Sequence, residues 1–475
     1  MKTTVPRFMG PRHTGRSLAL QVLLTCRTGD AFVQEVFEKA LAQAPLEPAD
    51  RRLATQLAYG VLRRRGTLDA LLRPLVKRQP HQVEPWLWEA LRLGAYQLAL
   101  LTHIPPHAAI HETVELAALF GRPRGKGFLN GVLRSCASLV TDERTAAPAT
   151  DALPLEGGQY RRLTRPVLPD PEGRPVEYLS AAFSLPRWLV LRWRERYPWD
   201  ECLRLGFWFA GPAPLWLRVN PLRTTREALL SAFARAGIVA EPGEHPQAVR
   251  LAEHAAVREL PGYPEGWFTV QDQSAMRVAS ALAPEPGMCV LDLCSAPGGK
   301  TTHLAELMRN EGRIIACDVD ERRLRTVVEL GRRLGITIIE PYPLHPPSSP
   351  SPRTPEERKY EEPPSGPFDA ILVDVPCSNT GVLGRRPEAR WRLKPDDFRH
   401  LVPLQTKLLL QAGERIKPGG AIVYSTCSIE PEENRGVVAA VLQGLPELTL
   451  EAEEEQVPGR PADGGYWARL RRRTL

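Results

Sequence analysis

The sequence predicts a multidomain α/β protein: an all-helical N-terminal part, a small α+β part and a doubly wound, Rossmann-like C-terminal domain. Three observations carry this. A chain of 475 residues is too long for one ordinary core. Apolar side chains recur at three- and four-residue spacing early in the chain, whereas later short apolar runs alternate with helical stretches. Val290 to Thr301, V-L-D-L-C-S-A-P-G-G-K-T, reads as strand, glycine turn and helix start, the opening unit of a doubly wound domain.

Taken in order, residues 1–140 form the helical part, with Leu18, Val22 and Leu23, then Leu53, Leu57 and Val61, then Leu91 and Leu98 on helix faces. Leu18 to Thr25 faintly resembles a secretory signal, but the helical pattern continues past it, so a core helix is expected. This part holds 19 Lys/Arg against 10 Asp/Glu, more than the whole chain's net +7, so the basic charge is concentrated here. Arg51, Arg52, Arg63, Arg64, Arg65, Arg122, Arg124 and Arg134 supply much of it; a phosphate-docking face and a merely solvated face both fit. His103, His107 and His111 share a four-residue spacing, but without a carboxylate signature capping or packing is expected rather than a metal.

Residues 141–175, with six prolines, are expected to be a linker. Residues 176–275 should begin helical, with Trp188, Trp193, Trp199 and Trp208 as packing aromatics. Strands are expected at Leu215–Val219, Ala248–Leu251 and Trp267–Val270 around a helix from Thr225 to Ala236. In residues 276–475 the strand candidates are Val290–Leu293, Arg313–Cys317, Thr337–Glu340, Ala370–Val373 and Ala421–Ser425. Residues 341–367, with ten prolines, should stay outside the sheet as an extended insertion.

Composition narrows the class further. Apolar content of 43% supports large cores, and no apolar run approaches the roughly 18–20 residues that span a bilayer. Eight cysteines without a C-x-x-C pair suggest reduced thiols in a cytoplasmic protein, with neither a disulfide framework nor a zinc site.

The chemistry gathers in the last domain. Gly298 and Gly299 let a ligand approach the main chain, and the helix start beyond them suits a carboxylate. Asp318 ends the following strand, where an acid can accept both ribose hydroxyls. The turn is not G-x-G-x-x-G, which favours a nucleoside carrying an amino acid over a dinucleotide. Cys377 and Asp374 follow one strand in D-V-P-C-S-N-T-G, and Cys427 follows another in Y-S-T-C-S-I-E-P-E-E-N. Either cysteine could be a small buried hydrophobe. Two of them at carboxyl strand ends in polar loops favour thiolate chemistry. Arg385, Arg386, Arg390 and Trp391 interleave cations with an aromatic, a pattern suited to RNA phosphates and bases.

These motifs, with R-R-P-E-A-R-W, resemble the RNA 5-methylcytosine methyltransferases of the NOL1/NOP2/Sun family. The N-terminal G-A-Y-Q-L, I-P-P-H-A-A-I-H-E-T-V-E-L-A and G-F-L-N-G-V-L-R look like the NusB-like domain of its RsmB/Sun branch. The resemblance implies a NusB-like helical domain, a ferredoxin- or RRM-like middle subdomain, and S-adenosylmethionine bound by Cys294, Ser295, Ala296, Pro297, Gly298, Gly299, Lys300, Asp318 and Asp374. It makes Cys427 the nucleophile at C6 of a cytosine, Cys377 the residue that helps release product, and Asp374 a hydrogen-bonding partner of the base. The reverse assignment, Cys377 as nucleophile, stays open on spacing alone. The implied substrate is an unpaired cytidine of 16S rRNA, handled by a monomer without metal or membrane. A tRNA cytosine methyltransferase and a non-catalytic RNA-binding or assembly factor are the alternatives. One departure stands out: the family's Gly-Asp after the third strand is replaced by Ile-Ile-Glu-Pro-Tyr, leaving Glu340 or backbone groups for the adenine.

Overall fold

The computed structural model describes residues 8–28, 32–78, 80–253, 256–344 and 362–474. The chain divides into two compact units, Met1–Ala213 with Leu383–Arg392, and Pro214–Val382 with Leu393–Leu475.

The first unit opens with seven helices: α1 (Gly15–Thr28), α2 (Val33–Gln43), α3 (Pro48–Arg63), α4 (Arg65–Leu72), α5 (Pro85–Leu100), α6 (Pro106–Leu119) and α7 (Lys126–Ala137). Proline opens α3, α5 and α6, where its missing N–H costs no hydrogen bond. The signal-like stretch lies inside α1, with Leu18, Leu20 and Leu23 buried in the helical core.

The expected linker is corrected. Strands β1 (Val140–Thr145), β2 (Ala152–Pro154) and β3 (Tyr160–Leu163) form an antiparallel sheet in the order β1-β3-β2. Leu153 and Leu163 join the helical core. Proline hid this sheet, yet Pro154 closes an edge strand, where no ladder donor is required. The expected 176–275 subdomain is also divided. Helices α8 (Pro175–Phe183), α9 (Arg187–Arg196) and α10 (Trp199–Ala210) belong to the first unit. Gly66 N donates to Ser184 Oγ at 2.7 Å and Thr67 Oγ1 to Ala182 O at 2.9 Å, tying α4 to the end of α8. Trp193 is buried there as a packing aromatic.

The second unit begins with a four-stranded antiparallel sheet, β4 (Leu215–Val219), β5 (Ala240–Pro242), β6 (Ala248–Leu251) and β7 (Phe268–Val270), ordered β5-β6-β4-β7, with helix α11 (Arg226–Arg235) against it. Helix α12 (Gln273–Leu282) leads into β8 (Cys289–Asp292), α13 (Gly299–Leu307), β9 (Arg313–Asp318), α14 (Glu321–Leu334), β10 (Ile339–Pro343), β11 (Phe368–Asp374) and β12 (Ile416–Thr426). The chain closes with β13 (Leu448–Gln456) and β14 (Gly465–Arg472). The seven strands run β10-β9-β8-β11-β12-β14-β13, parallel except for β14 and β13.

Period-two burial makes the sheet doubly wound. Val290, Ile314, Leu372 and Val423 face α12, α13 and α14. Their neighbours Leu291, Ile315, Val373 and Ile422 face the helices Phe398–Arg415 and Arg435–Gly444. Two corrections follow for the last domain. The insertion does reach the sheet: Pro341 and Pro343 lie in β10, an edge strand that tolerates proline, while 345–361 fall outside the described residues. The hairpin β13–β14 was not expected from the sequence at all.

Candidate active site

Strand order reverses between β8 and β11, which places a crevice beyond their carboxyl ends. The loop after β8 starts from Asp292, buried, which accepts from Thr301 Oγ1 at 2.7 Å and from Cys294 N at 3.3 Å. Asp292 thus closes the turn that carries Ser295 to Lys300. Burial pushes its carboxyl up to about 7, against the pull of the Thr301 hydrogen bond. The folded chain therefore keeps a proton that the unfolded chain sheds above its ordinary 3.8. Stability should fall as pH rises from about 4 to about 7 through this group. Asp292→Asn is expected to flatten that part of the profile, as read by urea unfolding at several pH values.

Gly298 has φ +102°, and a Cβ there would lie 3.0 Å from the Val327 Cα. At Gly299 a Cβ would meet only Gln271 Nε2, at 3.7 Å, so that side of the turn is open. Gly298→Ala should cost about 1–3 kcal/mol through strain alone. It should also weaken cofactor binding at least tenfold in a calorimetric titration. Ser295 Oγ is buried and hydrogen-bonded to nothing among the described residues, an orphan hydroxyl that a bound polar ligand would satisfy. Asp318 is buried at the end of β9 and accepts from Ala296 N at 3.1 Å and Asp320 N at 3.0 Å.

Lys300 Nζ donates to Asp374 Oδ2 at 2.7 Å, and Ser425 Oγ donates to Asp374 Oδ1 at 2.7 Å. Burial works against the Lys300 ammonium, but Asp374, Cys427 and Asp292 outweigh it and its pKa is raised. Because β11 pairs in parallel with β12, Asp374 sits opposite Ser425 and the loops beyond them run side by side. Cys377 and Cys427, fifty positions apart, come together with 3.1 Å between their sulfurs. Cys427 is half-buried and approaches Asn379 Oδ1 at 3.3 Å. Cys377 is 8% exposed; the hydrogen bond with Cys427, then burial, then the charges of Cys427 and Glu433 push its thiol well up.

The loops are clasped by Glu433 and Asn434, which the sequence reading quoted within a motif but gave no role, and by Gln405, which it did not single out. Glu433 Oε1 accepts from Ser378 N and Gln405 Nε2, each at 2.9 Å, and Gln405 Nε2 also donates to Pro376 O at 2.9 Å. Asn434 bonds Thr426 Oγ1 at 2.6 Å and Ser428 O at 3.0 Å, one on each side of Cys427. Gly381 N donates to Cys427 O at 3.0 Å. The spacing of Glu433 and Asn434 after Cys427 in E-P-E-E-N was the available signal; nothing in the sequence marked Gln405.

Three expectations are corrected. Arg390 is 0% exposed and spends its guanidinium on the carbonyls of Arg63, Phe183, Ser184, Phe209 and Leu383, so it is not free for RNA. A buried arginine can satisfy several carbonyls that strands and helices leave unpaired. Arg386 lies over Phe32, and Trp391 lies under Arg65 at 5.3 Å; both stay half-buried in the first unit. Glu340 pairs with Arg313 at the N-terminal end of β9, the opposite end from Asp318, so it does not substitute for the missing acid at the adenine. Arg64, one of the supposed basic-face residues, is also buried, and burial pushes its guanidinium down to about 10. Among the described residues no group of His, Cys, Asp and Glu could hold a metal, and no helix is long and apolar enough to cross a membrane.

A glycine turn, a buried acid at the end of the next strand and an unsatisfied serine at the switch point fit a nucleoside that carries an amino acid. That fit, with the family matches that follow, makes the class an S-adenosylmethionine-dependent methyltransferase. Residues 279–460 match the family described as 16S rRNA methyltransferase RsmB/F, residues 13–138 the NusB family, and residues 185–258 the ferredoxin-like domain of RsmF/B-like methyltransferases. The probable ribosomal RNA small subunit methyltransferase B of Bacillus subtilis (strain 168) is 34% identical over 440 residues, 91% of this chain and 89% of its own. The ribosomal RNA small subunit methyltransferase B of Salmonella newport (strain SL254) is 36% identical over 439 residues, 90% of this chain and 92% of its own. The solved methyltransferase homolog protein from Pyrococcus horikoshii is 27% identical with a TM-score of 0.52, covering 63% of this chain and 99% of its own. The chain belongs to the RsmB/F family of ribosomal RNA small subunit methyltransferases.

Proposed function

We propose that the protein methylates C5 of an unpaired cytidine in 16S rRNA through a covalent bond between Cys427 and C6. The observation that carries this reading is the pair of sulfurs 3.1 Å apart beside the Lys300–Asp374 pair. Neutral cytosine C5 is a poor nucleophile, and a thiolate added at C6 makes it electron-rich, splitting one hard step into easier ones. Cys427 is the more exposed sulfur, and the raised Cys377 thiol holds its proton beside it. The bond from Cys427 sulfur to C6 forms as the C5–C6 π pair moves toward C5. After methylation a base takes the C5 proton, the C5–H pair re-forms the C5–C6 double bond and the sulfur–carbon pair returns to Cys427; Cys377 suits the role of that base once its own proton has passed to solvent. Asp374, anchored by Ser425, would meet the base edge.

Bound S-adenosylmethionine supplies the methyl group as an electrophile. Residues Cys294 to Lys300 would hold its amino-acid end and Asp318 its ribose, as the open turn and orphan Ser295 hydroxyl support. The target base must leave its stack, which costs a few kcal/mol when it is paired, so a loop cytidine is the easier substrate. Arg385 and Arg386, half-buried, remain the phosphate candidates in their segment.

Bisulfite sequencing of small-subunit rRNA from cells lacking the gene, with and without its return, tests the proposal. One cytidine should lose protection and regain it with the unmodified chain but not with Cys427→Ala. If no 16S position changes, the substrate assignment is wrong.

A further inference from the structure

Glu433 is 0% exposed, and its carboxylate takes donors only from neutral groups: Ser378 N, Ser378 Oγ and Gln405 Nε2. No basic side chain among the described residues pairs with it. A buried charge without a cation is expensive, so three donors converging on it indicate a purpose beyond packing. Those donors bracket Cys377. Ser378 follows it, and Gln405 reaches from the Glu433 carboxylate to the carbonyl of Pro376, which precedes it. The backbone carbonyl of Glu433 accepts from the Tyr424 hydroxyl, fixing the residue from the β12 side.

We propose that Glu433 is the positioning residue of the two-thiol site: through Ser378 and Gln405 it fixes the Cys377 loop against Cys427 and so sets which of the two sulfurs is presented as the nucleophile. This rests on the reading of Cys427 as nucleophile. The device solves a chemical problem. Two sulfurs 3.1 Å apart compete for one negative charge, and a site that let Cys377 ionise would hold Cys427 as the unreactive thiol. The groups acting on the pair separate by side. Lys300, from α13, faces Cys427 and Asp374 of β11, whereas Glu433 faces Cys377. The Cys427 side thus holds the Lys300–Asp374 ion pair and the Cys377 side a carboxyl without a cation among the described residues, so the two sulfurs sit in unlike surroundings.

The test is alkylation by iodoacetamide across pH 6.5 to 9.5, with each cysteine followed by peptide mass spectrometry. It needs neither RNA nor cofactor, so its outcome is separable from the substrate assignment. In the unmodified chain Cys427 should be labelled well before Cys377. Glu433→Gln keeps the shape and one acceptor oxygen for Ser378 N and Gln405 Nε2 but removes the charge; its NH2 then faces Ser378 Oγ, which can turn to accept from it. It should raise the Cys377-to-Cys427 labelling ratio about tenfold near pH 8, as a change of one pKa unit would, while the melting temperature holds. Glu433→Asp retains the charge on a shorter arm and should keep Cys377 protected even if turnover falls. An unchanged ratio in Glu433→Gln would overturn the proposal. So would loss of Cys377 protection in Glu433→Asp, which remains decisive if the glutamine variant fails to fold.

Discussion

Cys377→Ala protein, incubated with its RNA and S-adenosylmethionine, should accumulate a covalent protein–RNA adduct that survives denaturing electrophoresis. Cys427→Ala should form none. Both should lose turnover, Cys427→Ala by on the order of 10⁴-fold or more, the scale on which removal of an enzyme nucleophile acts. The reason is positional. On the proposed reading the half-buried Cys427 is the sulfur that meets the base, and the more buried Cys377 keeps its thiol raised by the Cys427 hydrogen bond, burial and Glu433. Removing Cys377 leaves the adding group in place but deletes the residue assigned to release. The reversed pattern, adduct with Cys427→Ala and none with Cys377→Ala, would exchange the two roles. That choice was open on spacing alone, and the electrophoresis decides it directly.

The second large effect concerns stability. Arg218, on β4, is 0% exposed and donates from Nε to Glu306 Oε2 at 2.9 Å and from Nη2 to Glu306 Oε1 at 2.7 Å. It also donates to Gln271 Oε1, to Thr302 Oγ1 and to the carbonyl of Gly299 in the cofactor turn. One side chain therefore rivets the small sheet to the first helix of the methyltransferase fold. Arg218→Met should cost about 3–5 kcal/mol, because the Glu306 charge is left buried without its partner. That corresponds to a fall of roughly 10 °C in the melting temperature of a unit this size. Arg218→Met combined with Glu306→Leu should recover much of the loss, since replacing both partners removes the stranded charge. If the double variant is no more stable than the single one, the ion pair is not the source of the effect.

Much of this was legible in local sequence because the signals are local. A strand needs only a few alternating apolar residues, and a glycine turn needs only its own backbone. The strands β8, β9, β11 and β12 fall where their apolar runs predicted, and Cys377 and Cys427 stand beyond two strand ends as expected. The β13–β14 hairpin was hidden because Leu448–Gln456 reads as an acidic run. It becomes a strand when β14 supplies a partner and Glu451 bridges Arg469 and Arg471. Arg390 misled for the opposite reason: an arginine in a basic stretch looks solvated, and nothing nearby in the sequence announces the five carbonyls that enclose it.

By itself, then, the sequence determined the types of chemical group and the strand ends on which they stand, since both follow from short-range pattern and residue identity. Only the tertiary structure decided which groups meet. The parallel register of β11 and β12 brings two sulfurs into contact across fifty residues of chain, and the clasp of Glu433, Gln405 and Asn434 holds them there. Such meetings depend on long-range hydrogen bonding and burial, which no local window contains.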